Sequence, residues 1–273
     1  MLKQRIITAV VLSAIALWAL LGWNDFFFAL FLMVFAAAAA WEWSHLTHVQ
    51  PQNLRIAYTV VLTLTVAAAF AIADVASLSP IVLVGVISWL VIAGDLVLRP
   101  TLEASTNPQG EINTRWALLA FASFLLIVTL CSLFWLRQSH GPGIVIFAIV
   151  LVAAADTGAY FAGRQFGKRK LAVEISGGKT IEGAAGGLLF ALLVAACASF
   201  FLTINGVSGW SLFVMSAFAA ILSIAGDLFV SRAKRTRDVK DSSNLLPGHG
   251  DVLDRVDGLL AAIPFIAFAA LWL

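Results

Sequence analysis

Trp116-Ala-Leu-Leu-Ala-Phe-Ala-Ser-Phe-Leu-Leu-Ile-Val-Thr-Leu-Cys-Ser-Leu-Phe-Trp-Leu136 runs for 21 residues without a charged side chain, and Arg115 and Arg137 flank it. A helix of about 20 apolar residues crosses the hydrocarbon core of a bilayer, roughly 30 Å. In lipid every backbone N–H and C=O must pair within the protein, so a lone segment of this kind is a helix. A β-barrel would instead show alternating segments of about ten residues. The stretch reads as a membrane span.

Outward from it, eight further apolar segments follow the same rule. The nine are 6–23, 26–41, 56–73, 80–98, 116–136, 143–163, 181–204, 209–226 and 256–273. Apolar residues make up 61% of the 273-residue chain and charged residues 12%, against about 25% charged in a soluble domain. So little charge could not cover a water-facing surface. The expected fold is an all-α, polytopic integral membrane protein of about nine helices. Met1-Leu2-Lys3-Gln4-Arg5 precedes an apolar run longer than the core of a secretory signal, with no clean small-x-small site after it, so a retained first span is expected. Cys131 and Cys197 lie in separate apolar runs and suggest no disulfide framework.

Charge orients the spans. With the N-terminus cytoplasmic, Lys3, Arg5, Arg55, Arg99, Arg115, Arg164, Lys168, Arg169, Lys170, Lys179, Arg232, Lys234, Arg235, Arg237, Lys240 and Arg255 all fall on the cytoplasmic side. That is sixteen of seventeen basic residues, with Arg137 alone opposite. The positive-inside rule therefore supports a cytoplasmic N-terminus, an external C-terminus and the count of nine. Trp23, Trp41, Trp43, Trp116 and Trp135 sit near expected span ends and read as interfacial anchors. Gly183-x-x-x-Gly187 suits close helix packing.

Charge returns in 156–182 and 227–258. The second segment holds Asp227, Asp238, Asp241, Asp251, Asp254 and Asp257, six of the fifteen acids, with six basic residues. Charge at membrane depth is costly and marks function. All six acids are Asp, and short carboxylates suit Mg²⁺, which takes one or two of them together with substrate phosphate oxygens; the lysines and arginines suit the phosphates. Asp227, Ser231, Lys234 or Arg235, and Asp238 would share a helix face if the eighth span continues past the apolar run. Asp254 and Asp257 stand one turn apart at the mouth of the last span. Gly177-Gly178-Lys179-Thr180 is not a P-loop, because Val173 stands where the first glycine belongs and no preceding strand is expected. Read as a loop entering a helix, it still offers N–H groups and a positive dipole end to an anion. His45 and His48 read as interface residues, and no zinc-type spacing is present.

These stretches carry a family likeness. Ser231, Lys234-Arg235, Lys240-Asp241, Pro247, His249-Gly250 and Asp254-Arg255-Val256-Asp257 closely resemble the signature of phosphatidate cytidylyltransferases, the CDP-diacylglycerol synthases. Asp156-Thr157-Gly158-Ala159-Tyr160, Lys179-Thr180-Ile181-Glu182-Gly183 and Gly226-Asp227 resemble it too, so the likeness is strong over 150–258. Ala233, Gly177-Gly178 and Asp251 depart from the pattern; Asp251 adds a carboxylate where a second glycine is usual.

The resemblance implies cytidylyl transfer from CTP to phosphatidic acid in a bacterial-type inner membrane, with the active site facing the cytoplasm. It implies Asp227 and Asp254 as carboxylates for Mg²⁺, with any second ion left open, and Asp241 and Lys240 beside them as catalytic residues. Lys179, Thr180, Ser231, Lys234, Arg235, His249, Gly250 and Arg255 fill the implied phosphate- and nucleotide-binding set. It also implies a homodimer and no nucleic-acid partner. On this reading residues 1–142, spans one to five, serve as scaffold and dimerisation region. Residues 143–273 form the catalytic region, with cytoplasmic loops 164–180 and 227–255. Two alternatives stay open: a CTP-dependent lipid kinase of the polyprenol type or divergent paralogue, which releases CDP, and a secondary transporter, whose acids would sit at span centres.

Overall fold

A computed structural model describes residues 2–72, 75–99, 108–201, 209–237, 239, 242–243, 245 and 250–272. These residues form nine α-helices: α1 Leu2–Gly22, α2 Asp25–Leu46, α3 Gln52–Ile72, α4 Val75–Leu98, α5 Pro108–His140, α6 Pro142–Phe166, α7 Ile181–Phe201, α8 Gly209–Arg235 and α9 Asp257–Trp272. Every apolar segment expected from the sequence is one of them. Among the described residues, seven of these helices are long and apolar enough to cross a membrane.

α9 is an interior helix. Leu260, Ala261, Ala262, Ile263, Ile266 and Ala267 are all buried, because α9 packs against α4, α5, α6 and α8. A helix apolar all round belongs in the interior. The Thr129 hydroxyl of α5 donates to Leu260 O at 2.8 Å and ties the central helix to its neighbour.

Polar contacts fix which helix ends lie together. At one end Arg232 of α8 meets Asp95 of α4 at 2.7 Å, and Arg237, just past α8, donates to Leu46 O at the end of α2 at 2.8 Å. At the other end Arg137, closing α5, pairs with Asp25 at 2.5 Å, donates to Leu20 O at 3.0 Å and bonds Trp23 O. The C-terminal ends of α2, α4 and α8 are thus gathered at the end away from Arg137, as an up-and-down bundle requires.

Glycines let α6 and α7 touch. A Cβ on Gly187 would lie 2.7 Å from Ala155 O, and one on Gly183 would lie 2.9 Å from Ala159 O. Close backbone approach of this kind is what small residues permit in membrane helices.

Two expectations change. Ser176–Thr180, expected to be a loop, is strand β2, paired antiparallel with β1, Lys170–Ala172; Lys170 Nζ donates to Gly177 O at 2.7 Å and steadies the hairpin. Trp43 and Trp135, expected at the interface, are buried. Trp43 packs against Phe229 with ring centroids 5.8 Å apart, because the ends of α2 and α8 meet there. His45, expected at the interface, is exposed and hydrogen-bonds Ser242 O through Nδ1 at 2.7 Å. Cys131 and Cys197 are free, as expected.

Candidate active site

The hairpin β1–β2 delivers Lys179 to α8. β2 runs directly into α7, and the Thr180 hydroxyl accepts from Gly183 N at 3.0 Å, capping the new helix. Glu182 in the first turn of α7 accepts from the backbone N–H of Lys168 and of Arg169, each at 3.1 Å, and so ties the entry of the hairpin to the helix. One residue before the capping Thr180, Lys179 reaches across to Asp227 with Nζ–Oδ2 2.6 Å. Ser231, one turn along α8, donates to the other oxygen of Asp227 at 3.2 Å.

This pair lines a cavity of about 540 Å³ with Asp156, Tyr160, Gly163 and Arg164 of α6, Ser176 and Gly178 of β2, and Gly183 and Ala184 of α7. Asp227 and Lys179 are the charged groups that act on Asp156. Two carboxylates, an ammonium and a guanidinium therefore line one recess. Lys179 and Asp227 keep side-chain exposures of 25% and 31%, so an entering molecule can reach both.

Two turns further, on the same face of α8, stands a second charged group. Lys234 is buried and donates both to Asp251 and to Asp254, the latter at 2.5 Å. Asp254 belongs to a short 3-10 turn, Leu253–Arg255, just before α9. The two carboxylates answer the shared ammonium differently. Burial pushes Asp251 up, but Lys234 and the N–H groups of Ser242 and Ser243 outweigh it and hold the group below the usual carboxylate range. Asp254 lacks those backbone donors, and burial keeps it above the usual range despite Lys234 and Arg255.

Asp257 joins the two groups. Asp227, Asp254 and Lys179 are the charged side chains acting on it, and its backbone lies against Gly226, where any Cβ would collide with Asp257 O. The glycine beside Asp227 lets α8 approach the start of α9 closely enough for their acids to share one region.

Of the residues singled out from sequence, the fold brings Lys179, Asp227 and Ser231 together, and Lys234 with Asp254. Thr180 caps α7 at the cavity edge. Arg235 turns to Val239 O at 3.4 Å, and Arg255 acts on Asp254. Gly250 has φ +74°, a conformation that glycine adopts without strain, and it precedes the residue that turns inward, Asp251. Lys240, Asp241 and His249 lie outside the described residues. Asp251, read as an added carboxylate beside the nucleotide, instead organises the loop: fully buried, it accepts from Ser242 N at 2.7 Å and Ser243 N at 2.6 Å.

Two further acids, Asp156, read only as part of a family-like stretch, and Glu42, not singled out from sequence, lie at or near the site. Asp156 lies inside the sixth apolar segment, and an acid within a span is itself a signal of function. Glu42 lies between Trp41 and Trp43 at the end of α2 and is fully buried. Its carboxylate accepts from Ser243 Oγ at 2.6 Å and from Val252 N and Leu253 N at 2.8 Å each.

Hard oxygen donors and ammonium groups, interleaved around a recess, suit a polyanion that travels with a hard cation. Among the described residues no three His, Cys, Asp or Glu side chains form a ready-made metal cage. The donors nonetheless fit Mg²⁺, which needs only one or two carboxylates when phosphate oxygens and water fill its remaining positions.

A family model described as "Cytidylyltransferase family" matches residues 3–272. The chain belongs to the cytidylyltransferase family. As a nucleotidyltransferase it resembles proteins named phosphatidate cytidylyltransferase. That of Pseudomonas aeruginosa is 41% identical over 275 residues, covering 100% of this chain and 97% of the relative. That of Haemophilus influenzae is 37% identical over 289 residues, with 98% of each covered. That of Brucella suis is 36% identical over 274 residues, covering 96% of this chain and 90% of the relative. The likeness thus embraces the whole cytidylyltransferase chain, including the helices before the charged cavity.

Proposed function

We propose that the protein transfers the cytidylyl group of CTP to phosphatidate, giving CDP-diacylglycerol and pyrophosphate, at the cytoplasmic face of a bacterial inner membrane. The observation that carries the reading is the pairing of Lys179 with Asp227 at 2.6 Å in the cavity wall, two helical turns from the grouping of Lys234 with Asp254. Lys179 neutralises Asp227, and Lys234 is shared between Asp251 and Asp254. A nucleotide triphosphate with its cation would suit this arrangement, because its phosphate oxygens would meet the lysines and Asp227 and Asp254 would hold the cation. Asp251, fully buried, would keep Lys234 as its partner throughout, which matters where desolvation makes an unpaired charge costly.

Asp227 and Asp254 would hold Mg²⁺, and Lys179, Lys234, Arg235 and Lys240 would meet phosphate oxygens. Held there, Mg²⁺ supplies charge neutralisation for the triphosphate and for the departing pyrophosphate. A phosphate oxygen of phosphatidate attacks the α-phosphorus, and the bond from that phosphorus to the β-phosphate oxygen breaks in line. The nucleophile is a phosphomonoester whose second pKa is about 6, so it arrives ionised and needs no protein base. The chain's contribution is alignment of two polyanions and preorganised charge.

The positive-inside pattern supports a cytoplasmic position for the cavity, since the helix ends that carry Arg232, Lys234 and Arg237 lie with it. The family likeness supports a homodimer as the assembled form. Purified protein incubated with CTP, Mg²⁺ and phosphatidate should release pyrophosphate and form a cytidine-containing lipid. Release of CDP with a newly phosphorylated lipid would identify a kinase instead.

A further inference from the structure

The last turn of α2 contributes nothing to the cavity wall, yet it holds the loop that presents Asp254. We infer that Glu42 is a positioning residue for Asp254, an inference that rests on the reading of Asp254 as a cation-holding carboxylate. Both Glu42 oxygens are committed. One accepts from Ser243 Oγ at 2.6 Å and Val252 N at 2.8 Å, and the other from Leu253 N at 2.8 Å. Leu253 opens the 3-10 turn that carries Asp254, so the carboxylate grips the backbone one residue before the functional side chain. The turn's own bonds, Arg255 N to Val252 O at 3.0 Å and Val256 N to Leu253 O at 3.2 Å, leave the N–H groups of Val252 and Leu253 to Glu42.

The same turn of α2 grips the loop twice more. His45 Nδ1 bonds Ser242 O at 2.7 Å, and Leu46 O accepts from Arg237 at 2.8 Å. Asp251 in turn takes the N–H groups of Ser242 and Ser243. The described residues of the loop are therefore held by an acid of α2 and an acid of their own, with Lys234 tying the second acid to Asp254. Glu42 is fully buried, so its loss leaves three donors without an acceptor in a place water does not reach. Glutamine keeps one acceptor oxygen but turns an N–H₂ towards backbone donors.

The full-length protein, wild type and Glu42→Ala and Glu42→Gln, is compared in detergent for turnover against Mg²⁺, CTP and phosphatidate, and for backbone hydrogen exchange. Glu42→Ala should lower kcat about tenfold or more and raise the Mg²⁺ concentration for half-maximal turnover at least fivefold. The KM for phosphatidate should stay within twofold, and Glu42→Gln should fall between alanine and wild type. Amides of residues 252–253 should exchange at least tenfold faster in Glu42→Ala, while those of α6 and α7 keep wild-type protection. A purely structural role would scale the active fraction alone and leave the Mg²⁺ half-saturation unchanged; that result, or wild-type protection at 252–253, overturns the inference. If Glu42→Ala fails to fold, Glu42→Gln decides, with a shift of twofold or more in Mg²⁺ half-saturation expected and none contradicting it. If wild type itself makes no cytidine-containing lipid, the functional reading fails, while the exchange measurement still decides whether Glu42 holds the loop.

Discussion

Lys179, at the end of a β-hairpin, and Asp227, in α8, meet at 2.6 Å although 48 residues separate them in the chain. Their contact closes one wall of the cavity and places a cation and an anion where a metal-bound nucleotide could take both.

Asp227→Asn and Asp254→Asn should each reduce CTP-dependent turnover by about a hundredfold or more, the order of loss that follows removal of one preorganised electrostatic contact to a transition state. Both variants should insert and show the helical content of wild type by circular dichroism. Near-normal turnover in either removes that residue from the cation-holding role.

Lys234→Met should destabilise the protein by about 3–5 kcal/mol, the cost of leaving a buried charge without its partner. Asp251 would be that charge, since its residue exposure is 0%. Adding Asp251→Asn to Lys234→Met should recover part of the loss in denaturant unfolding. Equal stability of wild type and Lys234→Met would contradict the assignment.

Acidity should act through Asp251. Its folded-state pKa lies below the usual carboxylate value, so its contribution is present above the unfolded value and is lost as pH falls through the lower folded one. Asp254 is raised and acts with the opposite sign: its ionisation costs stability as pH climbs from the usual carboxylate value to the raised one. Unfolding midpoints measured from pH 6 downward should fall for wild type, and Asp251→Asn should flatten that decline.

Packing of α6 on α7 should be intolerant of bulk. Gly187→Val places a Cβ 2.7 Å from Ala155 O and should cost about 1–3 kcal/mol, as overpacking does. Gly94→Ala in α4 meets nothing within 4 Å and should be neutral or slightly stabilising, because alanine is the better helix former. Thermal melting of the two variants side by side checks the pair.

The bundle was largely legible because each span writes its own signal. Segment 116–136 carries its helix in 21 successive uncharged residues, and Arg137 alone among the basic residues marked the opposite end, where it indeed pairs with Asp25. The hairpin was not legible. Gly177 and Gly178 contribute no side-chain alternation, and its anchor, Glu182 to the N–H groups of Lys168 and Arg169, is a tertiary contact. Asp227 and Lys234 could be placed on one helix face by spacing alone. The hold of Glu42 on Val252 and Leu253 spans about 210 residues, and no local pattern reports such a contact. Asp251 was visible as a departure from the family pattern, but its role depends on a fold that buries it against Lys234.

Manganese offers the most direct test of whether Asp227 and Asp254 together hold the cation that travels with CTP. Electron paramagnetic resonance of the purified protein with Mn²⁺ and CTP should show one tightly held ion per chain in wild type. Asp227→Asn and Asp254→Asn should each weaken that binding at least tenfold. Wild-type Mn²⁺ binding in both variants would contradict the account.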